Sequence, residues 1–346
     1  MKAKIKPSLQ SKKLDEIKSY GGDSHSALLD KYAYRITGTI RKSIKGNIKT
    51  DAVAKQYIPQ SQELKILPSE NPDPIGDDAH SPIKGIVHRY PDRVLFKPAN
   101  ICAVYCRYCF RREMVGPQNS DILNAKEREA ALDYIREHNE IWEVILTGGD
   151  PLVLSARQLK DIIEALNDIE HVRIIRVHTR VPIADPRRIN AELLDALKSE
   201  KPIYIALHVN HAQELIEETR AALKALHSQG IHMLSQSVLL KGVNNKSETL
   251  AELYRELVSL NVKPYYLHHP DLAPGTSHFR LSIEEGQKIM QELRGHLSGL
   301  CQPTYMLDIP GGAGKVTLTP EALEKLEDGY RITDYKNCTH IYREQS

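Results

Sequence analysis

Three cysteines lie close together in the sequence, at positions 102, 106 and 109. They are three of only five cysteines in a chain of 346 residues, and their spacing is Cx3CxxC. Thiolates are soft ligands for iron, zinc or copper, and a group this compact can hold one metal centre. A cubane iron–sulfur cluster has four irons that each need a ligand, so Cys102, Cys106 and Cys109 would leave one iron open to a small molecule. The spacing therefore predicts a 4Fe-4S cluster with one exchangeable position.

Zinc binding and disulfide formation are alternatives to an iron–sulfur cluster at these three cysteines. A structural zinc site normally completes its ligand set with a fourth Cys or His nearby. The flanking sequence offers His88 but no second cysteine pair, which disfavours zinc. Redox-active disulfides and chance clustering are weaker alternatives, because neither requires this spacing.

A lysine on a glycine-rich loop is the second group that could do chemistry. The segment 308–316 reads DIPGGAGKV and presents Lys315 after three glycines. A phosphate-binding P-loop would need Gly at position 309 and Ser or Thr at position 316, and these are Ile309 and Val316. A lysine that forms a Schiff base instead needs a free ε-amine, and glycines let its backbone approach a cofactor closely. From the residues alone, a solvent-exposed loop lysine stays open as the simpler alternative.

Two arginines flank a tyrosine in the segment HRYPDR, at 88–93. Arg89 and Arg93 could hold a phosphate group while Tyr90 stacks on an aromatic ring. A surface cluster of ion pairs would give the same spacing. The apolar residues that follow at 94–96 predict a loop entering a strand that ends just before the cysteines.

A glycine pair followed by an acid closes a short apolar run, in the segment TGGDP at 147–151. Gly148 and Gly149 at a strand end would expose backbone polar groups and allow a ligand to approach closely. A tight turn between a strand and a helix would use the same residues. Asp271 and Asp308 are two further carboxylates whose default role is capping or turn formation.

Strand-like and helix-like segments alternate through the rest of the chain, and these elements must position the reactive groups. Strands are expected at 142–146, 173–177, 204–207, 232–234 and 264–267, with amphipathic helices at 126–138, 157–169, 188–198, 213–227, 246–260 and 283–296. Repeats of this kind indicate parallel strands joined by right-handed crossovers, and their number favours a barrel or partial barrel. Active sites of such barrels lie at the carboxyl ends of the strands. Polar residues collect there, namely Gly148, His178, His208, Asn210, Gln236, His268 and Asp271.

The composition excludes several functional classes. Lysine and arginine number 47 against 45 acidic residues, so the net charge of +2 provides no bulk attraction to nucleic acid. No apolar run approaches the roughly 20 residues that cross a bilayer, and the polar N-terminus lacks the apolar core of a signal peptide. Few cysteines, three of them clustered, favour a reducing cytoplasm.

The motif at 102–112, CAVYCRYCFRR, resembles the radical S-adenosylmethionine (SAM) enzymes and, more specifically, their lysine 2,3-aminomutase branch. HRYPDR at 88–93 and PGGAGK at 310–315 resemble segments of the same family, and the likeness extends over about 34–319. It implies an α/β fold with a partial (β/α)6 TIM barrel, an N-terminal helical extension and a C-terminal segment that carries a pyridoxal 5′-phosphate (PLP) lysine. We expect boundaries of 1–85, 86–300 and 301–346 for these three parts.

The resemblance also implies a role for each candidate residue. Cys102, Cys106 and Cys109 would hold a 4Fe-4S cluster whose open iron binds SAM, and Lys315 would carry PLP. Further cofactor contacts would come from Arg89, Tyr90 and Arg93 for PLP and from Gly148, Gly149, Asp150 and Gln236. Asp150 stands where most radical SAM enzymes have glutamate, as expected for this branch.

The substrate implied by the resemblance is L-lysine. Arg111 would pair with its carboxylate, and Asp271 and Asp308 would pair with its ε-ammonium. The radical formed from SAM would take a hydrogen from C3, and the amino group would move from C2 to C3 to give β-lysine. Formation of β-lysine for modification of elongation factor P is an alternative, as is a different substrate such as ornithine, arginine or glutamate.

The partners expected from the resemblance are a small amino acid substrate, a reducing electron donor such as flavodoxin or ferredoxin, and further copies of the chain in a homo-oligomer. Longer family members carry a C-terminal cysteine cluster for structural zinc. Only Cys301 and Cys338 lie outside the radical motif here, too far apart for that role, so we expect no zinc from them. Nucleic acid and membrane partners are not expected.

Overall fold

A computed structural model of the chain describes residues 28, 31–116, 122–319, 323–327, 329–334, 336 and 338–343. The polar N-terminus that we expect to lack a signal peptide lies mostly outside these residues. Among the helices of the described ranges, none is both long and apolar enough to cross a membrane.

Seven parallel strands form the centre of a nine-stranded sheet whose strand order follows the chain. They are β2 (Arg93–Ala99), β3 (Glu143–Gly148), β4 (Ile174–Thr179), β5 (Ile203–His208), β6 (His232–Val238), β7 (Val262–His268) and β8 (Thr304–Ile309). Each of the first six is followed by a helical connection to the next strand. The predicted α/β fold with a partial (β/α)6 barrel is therefore confirmed, and β8 extends it by one strand.

The helices of the crossovers bury apolar residues in the core, and the longer ones are amphipathic. In chain order they are α3 (Ala125–Glu137), α4 (Ala156–Asn167), α5 (Val181–Ala184), α6 (Ala191–Ala196), α7 (Glu217–Ser228), α8 (Ser247–Ser259) and α9 (Ile283–Leu293), preceded by two short N-terminal helices, α1 (Gly38–Ser43) and α2 (Ala52–Tyr57). Capping boxes start three of them, at Asn124, Ser155 and Ser282. Such caps satisfy backbone N–H groups that have no partner inside the helix.

The helix predicted at 213–227 begins four residues later than expected. The buried side chain of Glu214 accepts hydrogen bonds from the backbone N–H groups of Asn210 and His211, which forms a separate turn before α7. The helix predicted at 188–198 is likewise shorter, because Asn190 caps α6. In both places a polar side chain bonds to the backbone and interrupts the helical pattern.

Antiparallel strands lie at both edges of the sheet. β1 (Ile86–Tyr90) pairs with β2 on one side, and β9 (Gly314–Thr317) pairs with β8 on the other. The segment 88–93, predicted to be a loop, is therefore a hairpin that places Arg89 and Tyr90 on β1 and Arg93 on β2. A separate three-stranded sheet follows, formed by β10 (Leu323–Leu326), β11 (Gly329–Thr333) and β12 (Thr339–Arg343).

The N-terminal extension packs against the barrel and is partly buried. Val53, Ala54 and Tyr57 of α2 are fully buried, and Ile40 of α1 belongs to the main hydrophobic core. Because β8 and β9 belong to the same sheet as the preceding strands, the C-terminal segment is continuous with the barrel up to Thr317. The domain boundaries at 85/86 and 300/301 stay predictions.

Candidate active site

A cavity of about 550 Å³ is lined by residues from the carboxyl ends of the parallel strands, such as Gly148 and His268, and by residues from their amino ends, such as Arg93 and Glu143. All of the residues to which the resemblance assigns a role line it: Arg89, Tyr90, Arg93, Cys102, Cys106, Cys109, Arg111, Gly148, Gly149, Asp150, Gln236, Asp271, Asp308 and Lys315. The fold therefore brings together groups that are up to 226 residues apart in the chain, from Arg89 to Lys315. The individual roles predicted for them stay predictions.

The loop that carries the three cysteines is held by a buried carboxylate from the N-terminal extension. Glu63 accepts hydrogen bonds from Arg107 Nε at 3.0 Å and from Arg112 Nη2 at 2.5 Å, and its side chain is 0% exposed. The guanidinium of Arg112 also lies 3.6 Å from the ring centroid of Tyr32. Two of the three arginines in CRYCFRR thus fix the cysteine loop to the extension.

The glycine pair at the end of β3 lies directly against the backbone that leads to the first cysteine. Gly149 N–H donates to Ala99 O at 2.7 Å, and Asp150 N–H donates to Ile101 O at 2.9 Å. A Cβ on Gly149 would lie 2.3 Å from Ile101 O, closer than any real contact. Gly148 has a φ of +109° and would place a Cβ 2.5 Å from Ala99 O. Both positions therefore require glycine for the close approach of two chain segments.

Asp150 is fully engaged within the protein. Its carboxylate accepts from Thr179 Oγ1 at 2.7 Å and from the backbone N–H groups of Arg180 at 2.7 Å and Leu152 at 3.0 Å. Burial raises its pKa, and these hydrogen bonds oppose the rise. In this structure, Asp150 joins the turn after β3 to the turn after β4.

A buried polar network lies next to Cys106. Arg180 Nη1 donates to Glu214 Oε2 at 3.0 Å, and the same guanidinium donates to the hydroxyl groups of Tyr57 and Tyr108. Asn210 donates to the Tyr108 hydroxyl at 2.7 Å, so this residue belongs to the network and not to the cavity lining where strand-end polarity would place it. Arg180 supplies a fixed positive charge near the thiols, which suits a centre that carries several thiolate charges.

Arg111 and Arg89 meet at a shared carboxylate, Asp77, which also comes from the N-terminal extension. Arg111 Nε donates to Asp77 Oδ2 at 2.9 Å, and Arg89 Nη2 donates to Asp77 Oδ1 at 3.2 Å. The side chain of Asp77 is 0% exposed. Although burial raises the pKa of Asp77, the charges of Arg111 and Lys97 and the hydrogen bond from Arg111 lower it overall. The guanidinium predicted to bind a substrate carboxylate therefore already has one carboxylate partner.

Asp308 and Asp271 lie near Lys315 but differ in their partners. The ammonium of Lys315 pairs with Asp308, and His268 Nδ1 lies 3.3 Å from Asp308 Oδ2. Burial would raise the pKa of Asp308, yet the His268 hydrogen bond and the Lys315 charge lower it. Burial and then the charge of Asp308 raise the pKa of Asp271 to about 7. At neutral pH Asp308 is thus ionised, whereas Asp271 is close to the midpoint of its titration.

A tight hairpin presents Lys315 to the cavity. Asp308 and Lys315 are directly opposed across β8 and β9, and the turn between these strands contains Gly311, Gly312 and Gly314 with positive φ angles. Ala313 needs no such conformation, because Asn261 is the one non-glycine residue with positive φ among the residues that the structure describes. Ala313 therefore fits the backbone of this glycine-rich turn without strain.

The cavity contains buried polar atoms that have no protein partner, and these suit bound cofactors. Arg89 Nε, Arg176 Nε and His178 Nε2 are buried without a hydrogen-bond partner, and all three residues line the cavity. Unpaired buried polar atoms are costly, and a bound anion would satisfy the two arginine N–H groups. Three thiols at the same cavity fit an iron–sulfur cluster by donor chemistry. The residues present therefore fit both a cluster and a phosphate-bearing cofactor attached to Lys315.

Sequence reasoning missed the contribution of the N-terminal extension. No candidate site residue is predicted from the sequence within 1–85, yet Glu63 holds the cysteine loop and Asp77 holds two cavity arginines. Arg176, Arg180 and Glu214 were also missed. An acidic residue in a Pro- and Asp-rich stretch, such as Asp77, looks like part of a solvated turn. The available signal is the cysteine motif, because its three arginines need anionic partners where they are buried.

Comparison with known proteins gives two family matches. Residues 96–254 match the Radical SAM superfamily, and residues 290–342 match the family described as Lysine-2,3-aminomutase. The first range contains the three cysteines and the glycine pair, and the second contains Asp308 and Lys315.

Several curated proteins are similar over most of the chain. L-lysine 2,3-aminomutase from Acetoanaerobium sticklandii is 42% identical over 78% of this chain and 65% of its own length. The enzyme of that name from Clostridium subterminale is 39% identical over 86% of this chain and 72% of its own length. Glutamate 2,3-aminomutase from Clostridioides difficile is 40% identical over 79% of this chain and 64% of its own length. This chain thus spans about two thirds of the length of these relatives.

Proposed function

This chain belongs to the lysine 2,3-aminomutase family of the radical SAM superfamily, and on that premise we propose that it interconverts L-lysine and 3,6-diaminohexanoate (β-lysine) as a PLP-dependent aminomutase. The family that the motifs predicted is confirmed, and its named members are isomerases. The observation that carries the substrate proposal is the acidic pair Asp271 and Asp308 beside Lys315, in the cavity that the three cysteines also line.

Membership of the radical SAM superfamily implies a 4Fe-4S cluster and SAM. Cys102, Cys106 and Cys109 would hold the cluster, and Gly148, Gly149 and Gln236 lie on the cavity wall where they can contact SAM. Lys315 would carry PLP, with Arg89 and Arg93 near its phosphate and Tyr90 near its ring. When bound, these groups supply one-electron chemistry at an unactivated carbon and a conjugated system across which nitrogen can migrate.

The chain's own residues would bind and orient the amino acid. Asp308 already accepts the ammonium of Lys315, so its carboxylate is placed to bind an alkylammonium, and a substrate ε-ammonium would take that position. Asp271 would add a second negative charge once it ionises. Arg111 can orient the substrate carboxylate with a planar pair of donors, in competition with Asp77. The enclosed cavity would exclude water from reactive species.

Charge distinguishes lysine from glutamate as a substrate, and side-chain length distinguishes it from ornithine. A glutamate side chain would bring a third carboxylate beside Asp271 and Asp308, which is unfavourable in a partly buried site. Ornithine would place its ammonium one methylene short of the acidic pair. The use of β-lysine for modification of elongation factor P would involve the same reaction and the same residues.

The test is anaerobic incubation of the protein with reductant, SAM, PLP and each amino acid, followed by product analysis. Lysine should give β-lysine faster than ornithine, arginine or glutamate gives its product. Asp271→Asn and Asp308→Asn should each lower kcat/KM for lysine by about 30-fold or more, since loss of one partner of a buried charge pair costs about 2 kcal/mol or more. Iron and PLP contents should stay at the wild-type level. Full lysine activity in either variant would refute the substrate proposal.

The cellular compartment and the electron donor that we infer are those that an iron–sulfur cluster needs. We infer a reducing cytoplasm, because the three cysteines must stay reduced to hold a cluster. The electron donor would be a protein of low potential such as flavodoxin or ferredoxin. Assembly into a homo-oligomer stays a prediction.

A further inference from the structure

A histidine of the HRYPDR segment faces away from the cavity. His88 lies on β1 between Val87 and Arg89, both of which line the cavity, whereas His88 is not part of that lining. Side chains alternate between the two faces of a strand, so His88 points to the opposite face. There it meets His138, just after the end of α3, with 5.7 Å between the ring centroids.

We propose that His88, His138 and Glu140 form a zinc site on the outer face of the barrel, separate from the cavity. One potential ligand atom from each of the three residues lies within 4.8 Å of the potential ligand atoms of the other two. Among the described residues, no other group of three His, Cys, Asp or Glu side chains meets this distance criterion. The two histidines are partly buried, and Glu140 is exposed. This proposal is independent of the proposed catalytic function.

The hydrogen bonds of the histidines leave one nitrogen of each ring available to a metal. His138 Nδ1 lies 2.7 Å from the backbone carbonyl of Tyr134. A carbonyl can only accept, so Nδ1 carries the proton and Nε2 presents its lone pair. His88 Nδ1 lies 2.9 Å from the Tyr134 hydroxyl, and where that hydroxyl accepts the Nδ1 proton, Nε2 of His88 presents its lone pair as well. Hydrogen bonds from the second ring nitrogen to carbonyl or hydroxyl oxygens are the usual support of metal-bound histidines.

Two imidazoles and one carboxylate suit zinc more than a hard cation. Calcium and magnesium prefer sites made only of oxygen ligands, while imidazole favours zinc and its neighbours in the first transition row. Three protein ligands leave the fourth tetrahedral position to water. Ligand atoms around tetrahedral zinc lie about 3.3 Å apart, given Zn–N bonds near 2 Å. Rotation of the exposed Glu140 side chain can bring its carboxylate to that distance.

A zinc ion at this site would join two elements that meet at the edge of the barrel. His88 belongs to β1, and His138 and Glu140 follow α3, the helix of the first crossover. In addition, the Tyr134 ring stacks on His138 at a centroid distance of 3.9 Å. Zinc would therefore restrain the strand that carries Arg89 and Tyr90 from the side opposite to the cavity.

The test measures zinc binding to the full chain after anaerobic reconstitution, so that iron occupies the cysteines. Zinc and iron are quantified in the same samples after equilibrium dialysis against a series of free zinc concentrations. The wild type should bind one zinc ion per chain. His138→Asn and His88→Asn should weaken zinc binding at least about tenfold, because even loss of a residue that only supports a ligand costs about 10- to 100-fold.

Three controls keep the result specific. Glu140→Gln removes a ligand from an exposed position and should weaken zinc binding without loss of fold, whereas His227→Asn alters a histidine outside the site and should bind zinc like the wild type. Anomalous diffraction at the zinc edge should place the ion between His88 and His138. Zinc binding of wild-type strength in His138→Asn or Glu140→Gln, or zinc found at the cysteines alone, would overturn the proposal.

Discussion

At the residue scale, two aspartates of one cavity have opposite pKa shifts. Burial and the charge of Asp308 raise the pKa of Asp271 to about 7, whereas His268 and Lys315 outweigh burial at Asp308 and lower its pKa. Environments that push the pKa values of neighbouring acids apart are typical of sites with divided roles. Asp308 can thus hold a cation at any physiological pH, while Asp271 gains its charge near neutrality.

The shift in the pKa of Asp271 predicts how the stability of the protein, free of both substrate and PLP, depends on pH. An unfolded aspartate has a pKa near 3.9, so between about pH 4 and pH 7 the folded protein keeps a proton that the unfolded chain releases. Stability is therefore lost as the pH rises through this window. The substitution Asp271→Asn removes this pH-dependent loss of stability. The Tm of the variant minus the Tm of the wild type should therefore increase from about pH 4 to about pH 8.

Asp308→Asn is the matched control for this experiment, since the pKa of Asp308 is lowered on folding. Its contribution to stability is present above the unfolded pKa and disappears as the pH falls through the folded pKa. Asp308→Asn should therefore lower Tm at about pH 8, opposite in sign to Asp271→Asn. Calorimetry at several pH values distinguishes them, and an equal Tm change for Asp271→Asn at every pH would contradict the assignment.

Gly149 gives a second prediction at the residue scale. Gly149→Ala would place a Cβ 2.3 Å from Ile101 O, one residue before Cys102, so the cysteine loop must shift. We expect a folded protein that retains less than about half of the wild-type iron per chain. Gly299→Ala is the control, because nothing lies within 4 Å of a Cβ at that position. Wild-type iron content in Gly149→Ala would show that the close approach is dispensable.

At the element scale, the N-terminal extension acts through three buried acids. Glu63, Glu70 and Asp77 are spaced seven residues apart, and each side chain is 0% exposed. Glu63 binds arginines of the cysteine loop, Glu70 binds Arg280 after β7, and Asp77 binds cavity arginines. The extension therefore connects the cysteine loop, the barrel and the substrate side of the cavity.

Removal of the charge at Glu63 should destabilise the cysteine loop. In Glu63→Gln, two buried guanidinium groups lose their anion, and loss of one partner from a buried pair costs about 3–5 kcal/mol. Denaturant unfolding should show this loss of stability, and iron per chain should fall because Arg107 and Arg112 flank the cysteines. Glu129→Gln, at an exposed pair with Arg136, should leave both quantities unchanged. A Glu63→Gln protein with normal stability and iron would remove the extension from this role.

Elements with a local sequence signal could be predicted, and long-range partners could not. The strands and helices of the barrel follow from apolar periodicity, and the predicted strand at 204–207 lies within Ile203–His208. The hairpin at β1 was missed because the segment 88–93, with two arginines, an aspartate and a proline, looks like a loop. The partner of Arg107 lies 44 residues upstream, and no local pattern identifies it.

At the scale of the whole molecule, one cavity receives groups from both edges of an open sheet. β1 and β9 are its edge strands, and no strand pairing between them is found in the described part of the chain. The two edges meet through a side chain instead, as the backbone N–H of Lys315 donates to the Tyr90 hydroxyl at 3.0 Å. Tyr90 is in turn covered by Arg93, whose guanidinium lies 3.8 Å from the ring centroid. The motifs predict that these residues belong to one site, whereas only the fold shows that they join the two edges of the sheet.

This contact predicts that the two cofactor sites can be disturbed separately. Tyr90→Phe keeps the ring and its stacking but removes the acceptor for the Lys315 N–H, so the β8–β9 hairpin should be held less firmly. PLP affinity should fall by roughly 2- to 10-fold, the effect expected for a hydrogen bond of about 0.5–1.5 kcal/mol. Iron content and reductive cleavage of SAM should stay at wild-type values, because the cysteine loop is fixed by Glu63.

Tyr342→Phe, at an exposed tyrosine of β12, is the control for Tyr90→Phe. Loss of iron in Tyr90→Phe, or unchanged PLP binding measured by absorbance titration, would contradict this separation.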